Sequence, residues 1–280
     1  MSSSPHHSTA DAPILSELSL HGRRALITGG GSGIGRAIAI ALAEAGARVR
    51  VGGRRESALT ATAEAITAAG GEAVVEVVDV TSESAVSDCA ARILESWGGI
   101  DIVVNCAGSL LFKPFVPLPG LRPSHLPDFA TPISAEQWAD ILGVHVGGAI
   151  AVLRALAPTM LEQRNGRVIN VTTASLGRTG RFTTGYDVSK AALAQLTRSL
   201  GYEWARFGVT VNSIAPGHFP TEMTQELHES EQGQRYLENR IPMRRTGDVR
   251  DLGATAVFLA SDRAGFLTGQ TLYVDGGESL

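Results

Sequence analysis

Cysteine is almost missing from this chain of 280 residues. Cys89 and Cys106 are too few for a disulfide framework and are not spaced as metal ligands, which fits a reducing compartment. Lysine is equally scarce: Lys113 and Lys190 stand among 24 basic residues that are otherwise arginine. No basic run exceeds a pair, and 28 acidic residues leave a formal net charge of -4. A nucleic-acid or anionic-membrane footprint is therefore not expected. There is no 18-residue apolar run, and the first twenty residues lack the basic start and apolar stretch of a secretion signal. A cytoplasmic protein that handles small molecules is the expectation.

The chain does have the makings of a large core. Hydrophobic residues make up 44% and charged residues 19%, the balance of a soluble globular protein long enough to fold without staples. Short apolar runs alternate with longer Ala-rich stretches of helical period, which predicts βαβ units. Seven strands are read at 23–28, 48–52, 73–78, 100–105, 167–172, 210–214 and 270–274. Each run is continuous rather than alternating, as in strands covered on both faces. The fold class is α/β, a Rossmann-like doubly wound parallel sheet with helices on both faces. Residues 1–17, rich in Ser, His and Pro, are expected to be a disordered tail, and 18–280 a single dinucleotide-binding catalytic domain. Two stretches break the rhythm. Residues 109–135 hold six of the twelve prolines and are read as a long ordered or lid-like loop. Residues 218–246 turn charged and are read as a mobile flap with a helix possible over 221–239.

Between the first strand and its helix lies Thr28-Gly29-Gly30-Gly31-Ser32-Gly33-Ile34-Gly35. Glycines let backbone approach a pyrophosphate, and the amino end of the helix offers it unpaired N–H groups and a positive dipole. Gly29, Gly31, Ser32, Gly33, Ile34 and Gly35 are the candidate phosphate cradle. An acid after the second strand would accept from an NAD ribose, but Gly52-Gly53-Arg54-Arg55 stands there. Arginine suits a 2'-phosphate, so NADP(H) is preferred and NAD(H) stays possible, with Arg54 ahead of Arg55. Asp79 and Val80 are placed to meet the adenine, and Asn105, Ala107 and Gly108 to flank the ribose, all at carboxyl ends of strands. No metal site is read.

Tyr186 and Lys190 lie four apart at the start of a helix and so share a face. An ammonium beside a phenol lowers the phenol's pKa toward the working pH, making a general acid and base.

Together with these motifs, Pro216-Gly217 with Thr221, and Thr268-Gly269-Gln270 with Val274-Asp275-Gly276-Gly277, the chain resembles the short-chain dehydrogenase/reductase family over about residues 20–277. The resemblance implies that Tyr186 passes a proton to or from the substrate oxygen while hydride moves at the nicotinamide. Lys190 would bind the ribose and tune the phenol, and Pro216, Gly217 and Thr221 would line the carboxamide. It also implies a homo-oligomer, tetramer or dimer, built on helices near 135–163 and 186–207.

Two positions depart from the family pattern. Thr173 stands where the family has a substrate-polarising Ser, with Ser175 the second candidate. A Thr hydroxyl has the same hydrogen-bonding capacity on a stiffer side chain. His145 takes the place of an Asn that helps hold a water linked to the Lys. Either it alters that relay and shifts the pH profile, or it is a packed helix residue. His218 is read as a loop residue or a substrate contact. Arg240, Arg244 and Arg245 would receive a substrate anion or pair with Glu226, Glu229, Glu231 and Glu238. The predicted activity is interconversion of a ketone and a secondary alcohol, on a 3-oxoacyl, sugar, polyol or other small carbonyl substrate. An NADP(H)-binding sensor with little turnover and a non-redox dehydratase are the alternatives.

Overall fold

The computed structural model describes residues 13–14, 16–119, 131–225 and 229–280. Seven parallel strands form one sheet: β1 (Arg24–Thr28), β2 (Arg48–Gly53), β3 (Glu72–Val77), β4 (Ile102–Asn105), β5 (Gly166–Val171), β6 (Val209–Pro216) and β7 (Thr271–Val274), in the order β3-β2-β1-β4-β5-β6-β7. All seven strands read from apolar runs are present, with ends shifted by one or two residues. The helices are α1 (Gly33–Glu44), α2 (Glu56–Ala68), α3 (Glu83–Trp97), α4 (Ala135–Leu142), α5 (Gly148–Gln163), α6 (Thr184–Trp204), α7 (Glu231–Arg240) and α8 (Val249–Ala260). Ile38 and Leu42 of α1, Leu59 and Ile66 of α2 and Leu252 and Leu259 of α8 share one core layer with Ile27, Val49 and Ile169 of the sheet. Val86 and Ile93 of α3, Val152 and Leu156 of α5 and Trp204 of α6 form the layer on the other face.

The register brings the working ends together. Thr28 is paired with Asn105, and Asn105 with Asn170, so the carboxyl ends of β1, β4 and β5 finish at one level. The chain reverses its direction of travel across the sheet between β1 and β4, the point where such sheets open a ligand crevice.

Several expectations need correction. Coverage on both faces fails at β3, whose Val74 and Val77 are exposed, because it ends the strand order and no further strand among the described residues pairs with its outer edge. The helix considered over 221–239 does not form as one piece: Glu222–Thr224 is a short 3-10 turn and α7 begins later, capped by the Ser230 hydroxyl on the Gly233 N–H. Residues 1–12 of the expected tail lie outside the described residues. Its end folds into a 3-10 turn, Ser16–Leu18, with Glu17 bonded to Arg263 at 2.8 Å. One helical stretch, Ala135–Gln163, is long and apolar enough to cross a membrane by length and composition, although polar and charged residues interrupt its apolar sequence. In this fold its Val152, Leu153, Leu156, Ala157 and Met160 are core residues.

One charge cluster is buried under the sheet. Arg50, on β2, pairs with Glu76 on β3, which also accepts from Arg92 at 2.9 Å. The Arg50 guanidinium lies over the Trp97 ring, 4.5 Å from its centroid. Removing Glu76 would strand Arg50 in the core, so Glu76→Ala is expected to lower stability by about 3–5 kcal/mol. Urea unfolding checks this; a loss below 1 kcal/mol would show that Arg50 finds water instead.

Candidate active site

The glycine loop is shaped by what it excludes. A Cβ on Gly35 would stand 2.2 Å from the Gly29 carbonyl oxygen, and one on Gly29 2.9 Å from the Cys106 carbonyl and the Ala107 backbone. Gly29 also has φ +70, a conformation that glycine adopts freely. Backbone therefore lies against backbone where β1 ends. Ser32 is the N-cap of α1 but makes no side-chain cap, which leaves the first N–H groups of the helix directed outward. An uncapped, glycine-lined amino end at the strand switch point fits a pyrophosphate, and with it a dinucleotide.

The other expected cofactor residues lie around this loop. The Thr28 hydroxyl accepts from the Cys106 and Ala107 N–H groups, both at 3.2 Å, so β1 staples the turn that carries Ala107 and Gly108. Thr28 was not singled out in the sequence; nothing distinguishes it from other strand threonines. Asn105 donates to Asn170 at 2.9 Å, and Asn170 to Thr197 at 2.8 Å. The Asn105 amide N–H thus serves the chain of bonds inside the sheet, while its buried Oδ1 has no partner among the described residues. Asp79 accepts from the Thr81 N–H and hydroxyl at 2.9 and 2.7 Å. These bonds, more than the nearby Arg54 charge, hold its carboxyl below the usual range. Val80 is buried and packs on Gly148, where a Cβ would be 2.5 Å away. Pro216 closes β6, the Gly217 N–H donates to the Val274 carbonyl at 3.0 Å, and a Cβ on Gly33 would stand 3.3 Å from the Thr221 side chain.

The two arginines differ. Arg54 is exposed, whereas one Arg55 nitrogen donates to the Ser32 hydroxyl at 2.9 Å and pairs with Glu222 at 3.1 Å. The second choice from sequence is thus the one bound to the glycine loop. Glu222, 167 positions further on, gave no signal of its own.

Opposite the loop, Tyr186, Thr173 and Lys190 converge. The Tyr186 phenol has the Thr173 hydroxyl as a polar neighbour, and the Lys190 ammonium is 5.8 Å from the ring centroid. Thr173 is held by its own turn, accepting from the Ser175 N–H at 3.2 Å. Ser175 instead lies toward Asp187, so of the two candidates Thr173 is the one beside the phenol. The expected lowering of the phenol is overturned in the free protein: burial pushes Tyr186 up to about 12. Burial also lowers Lys190 to about 8, and its ammonium donates to the Val171 carbonyl at 2.7 Å. Spacing alone could not show that Lys190 is buried and Tyr186 half-buried.

His145 lies in a π-helical turn, Gly143–Gly147, between α4 and α5. It is 2% exposed. Its Nε2 accepts from the Ser109 N–H at 2.9 Å, its Nδ1 is 2.6 Å from the Ser189 hydroxyl, and its ring meets Tyr186 edge-on at 5.5 Å. Burial first, and the Lys190 charge second, lower it to about 3.

The described part of the proline-rich loop is pinned rather than free. Lys113 N–H donates to the Phe182 carbonyl at 2.8 Å, Ile133 N–H to Pro114 at 2.9 Å, and Phe115 stacks edge-on against Trp138; Leu121, Pro123 and Pro127 lie outside the described residues. His218 pairs with Glu278 at 3.3 Å, and Arg240 pairs with the same carboxylate. Arg240 therefore meets the carboxyl-terminal segment instead of the flap acids expected for it. Glu226 lies outside the described residues, and Arg245 donates to the Thr246 carbonyl.

The family model described as enoyl-(acyl carrier protein) reductase matches residues 29–279. Gluconate 5-dehydrogenase of Gluconobacter oxydans is 36% identical over 92% of this chain and 95% of its own. A 3-oxoacyl-(acyl-carrier-protein) reductase of Chlamydia pneumoniae is 32% identical over 93% and 98%. The crystal structure of a gluconate 5-dehydrogenase from Burkholderia cenocepacia, in complex with NADP and tartrate, superposes with a TM-score of 0.85 at 33% identity, covering 95% of this chain and 99% of that one. With the glycine loop, the Tyr186 and Lys190 pair and the seven-stranded sheet all inside these matches, the chain belongs to the short-chain dehydrogenase/reductase family, nicotinamide-dependent oxidoreductases of CH–OH groups.

Proposed function

We propose that the chain interconverts a ketone and a secondary alcohol with NADP(H), with polyhydroxy acids of the gluconate type the first substrates to try. The observation that carries this reading is the Lys190 ammonium 5.8 Å from the Tyr186 ring, with Thr173 beside the phenol, on the same sheet edge as the uncapped amino end of α1. Relatives named for gluconate and its 5-keto form support the substrate class. The sensor and dehydratase readings have no comparable support.

When bound, the nicotinamide supplies or takes the hydride. Gly29, Gly31, Ser32, Gly33, Ile34 and Gly35 would cradle its pyrophosphate, and Arg54 and Arg55 the 2'-phosphate. Asp79 and Val80 would meet the adenine, and Asn105, Ala107 and Gly108 would flank the ribose by their backbone. Pro216, Gly217 and Thr221 would line the nicotinamide. Thr173 donates to the substrate oxygen and holds it before Tyr186. A phenol kept protonated by burial enters the reaction as the acid, which suits reduction at neutral pH. Lys190, held at its far end by Val171, supplies positive charge as the phenol gives up its proton.

We also infer a cytosolic homo-oligomer. Free Cys89 and Cys106 suit a reducing compartment, and exposed Tyr202, Tyr273 and Phe266 offer apolar contact area. Sedimentation velocity decides between this and a monomer.

Turnover is read as loss of NADPH absorbance with 5-ketogluconate and other ketones, repeated with NADH. Tyr186→Phe is expected to lower kcat by roughly 10²–10⁴ with cofactor affinity kept; near-normal turnover would remove Tyr186 from the acid role. Arg54→Ala is expected to weaken NADPH and spare NADH. Because Glu222 shares Arg55, Glu222→Gln should tighten NADPH by about twofold to fivefold, the worth of an exposed ion pair. Equal effects on both cofactors in titrations would refute both assignments.

Lys190 also marks stability. Its folded pKa, about 8, lies below the unfolded value of about 10.4, so the unfolded chain binds the extra proton between them. Stability from this residue is complete above the unfolded value and is lost as pH falls through about 8. Relative to Lys190→Met, the wild type should gain stability between pH 8 and 10, measured by urea midpoints. A constant difference would mean that the ammonium is hydrated.

A further inference from the structure

We propose that His145 is a neutral positioning residue that ties the Ser109 loop to the first turn of α6 and so aims Tyr186, and that it carries no proton in the reaction. This rests on the reading of Tyr186 as the acid. The donor and acceptor count leaves little choice. The Ser109 backbone N–H can only donate, so Nε2 at 2.9 Å must be a bare acceptor. A neutral imidazole then carries its proton on Nδ1 and donates it to the Ser189 oxygen at 2.6 Å. Ser189 in turn donates to the Tyr186 carbonyl at 2.7 Å. The line from Ser109 N–H through His145 and Ser189 to the Tyr186 backbone runs in one direction, with every proton on it committed.

Protonating the ring would set an Nε2 proton against the Ser109 N–H. The titratable groups turned to the imidazole are the Lys190 ammonium and the Tyr186 phenol, both from α6. Neither offers it a negative partner at neutral pH. The site is also fitted to an imidazole: a Cβ on Gly108 would stand 2.8 Å from Nε2. Ser189 is fully buried and its hydroxyl has no task except this bridge. The π-helical turn widens the helix at this point and brings the ring under Tyr186; such insertions recur at functional sites. An Asn at 145 could reach Ser189 from the place of Nδ1 but is too short to accept from the Ser109 N–H, as Nε2 does, or to face the Tyr186 ring.

The test combines kinetics with ring NMR on the full-length protein. In His145→Ala, kcat for ketone reduction should fall at least tenfold, with the NADPH dissociation constant within twofold of wild type and the pKa values of the pH profile unmoved. His145→Asn should recover part of the loss, and Ser189→Ala should cost less than His145→Ala with the same unmoved profile. On wild-type protein labelled with 15N-histidine, the resonances missing in His145→Ala should report a neutral ring protonated at Nδ1 from pH 5 to 9. A shift of the kinetic pKa by a unit or more, titration of that ring within this range, or an Nε2 proton would overturn the proposal. Should His145→Ala fail to fold, the resonances missing in His145→Asn or His145→Gln assign the ring, and the wild-type spectrum still decides. Absence of turnover in the wild type would instead count against the redox reading, and the tautomer would stand or fall separately.

Discussion

A single buried ammonium governs the active site. Lys190 is 4% exposed and its nitrogen rests on one backbone carbonyl, that of Val171. An ion in such surroundings is expensive to desolvate, and any second positive charge nearby adds repulsion in a medium that screens poorly. Its neighbours are accordingly neutral. His145 is driven down, while burial raises the Cys106 thiol to about 11 and the Tyr186 phenol to about 12. One fixed charge beside three uncharged titratable groups is an arrangement in which a proton leaving Tyr186 creates an opposite charge next to Lys190. The interaction strengthens as the reaction proceeds, which is the condition for stabilising a transition state rather than the resting site.

That charge needs a rigid frame, and the parallel register supplies it. Equal pairing of β1, β4 and β5 sets three loops at one height, and two neutral staples then hold them. The Thr28 hydroxyl binds the turn after β4 to the end of β1. The Asn105, Asn170 and Thr197 chain binds β4 and β5 to the middle of α6. Both staples lie behind the surface a cofactor would touch. Their loss would move the cradle relative to Tyr186 without removing any group that meets the ligand.

Continuous apolar runs made the strands legible because strands buried on both faces need no alternation, and the same logic failed at β3, where one face and one edge meet solvent. The glycine motif was legible because close backbone contact forbids side chains, as Gly35 against Gly29 illustrates. What could not be read was partnership across long separations. Arg55 with Glu222, Arg240 with Glu278 and His145 with Ser189 depend on how loops fold over the sheet. Spacing within a helix predicted that Tyr186 and Lys190 share a face, yet it carried no measure of depth. The sign of the phenol's shift therefore came out opposite to expectation. Thr28 and Ser189 were invisible for another reason: a hydroxyl inside a strand or helix has a role only once its partner is known.

The two departures from the family pattern follow one design. Thr173 lies in extended backbone at φ -159 and ψ 150 and caps the turn that follows it. A β-branched side chain there has fewer rotamers to lose than Ser would, so its hydroxyl is already aimed at Tyr186. His145 similarly exchanges a short amide for a ring with two fixed bonds and an edge against the phenol. In both cases a flexible group has given way to a stiffer one whose hydrogen bonds are spent on backbone. The proline-rich loop adds a third constraint, because the Lys113 N–H holds the Phe182 carbonyl and Phe182 itself has φ +66, just before α6 begins. Ser109 and Lys113 thus connect that loop to the acid-bearing helix from two sides.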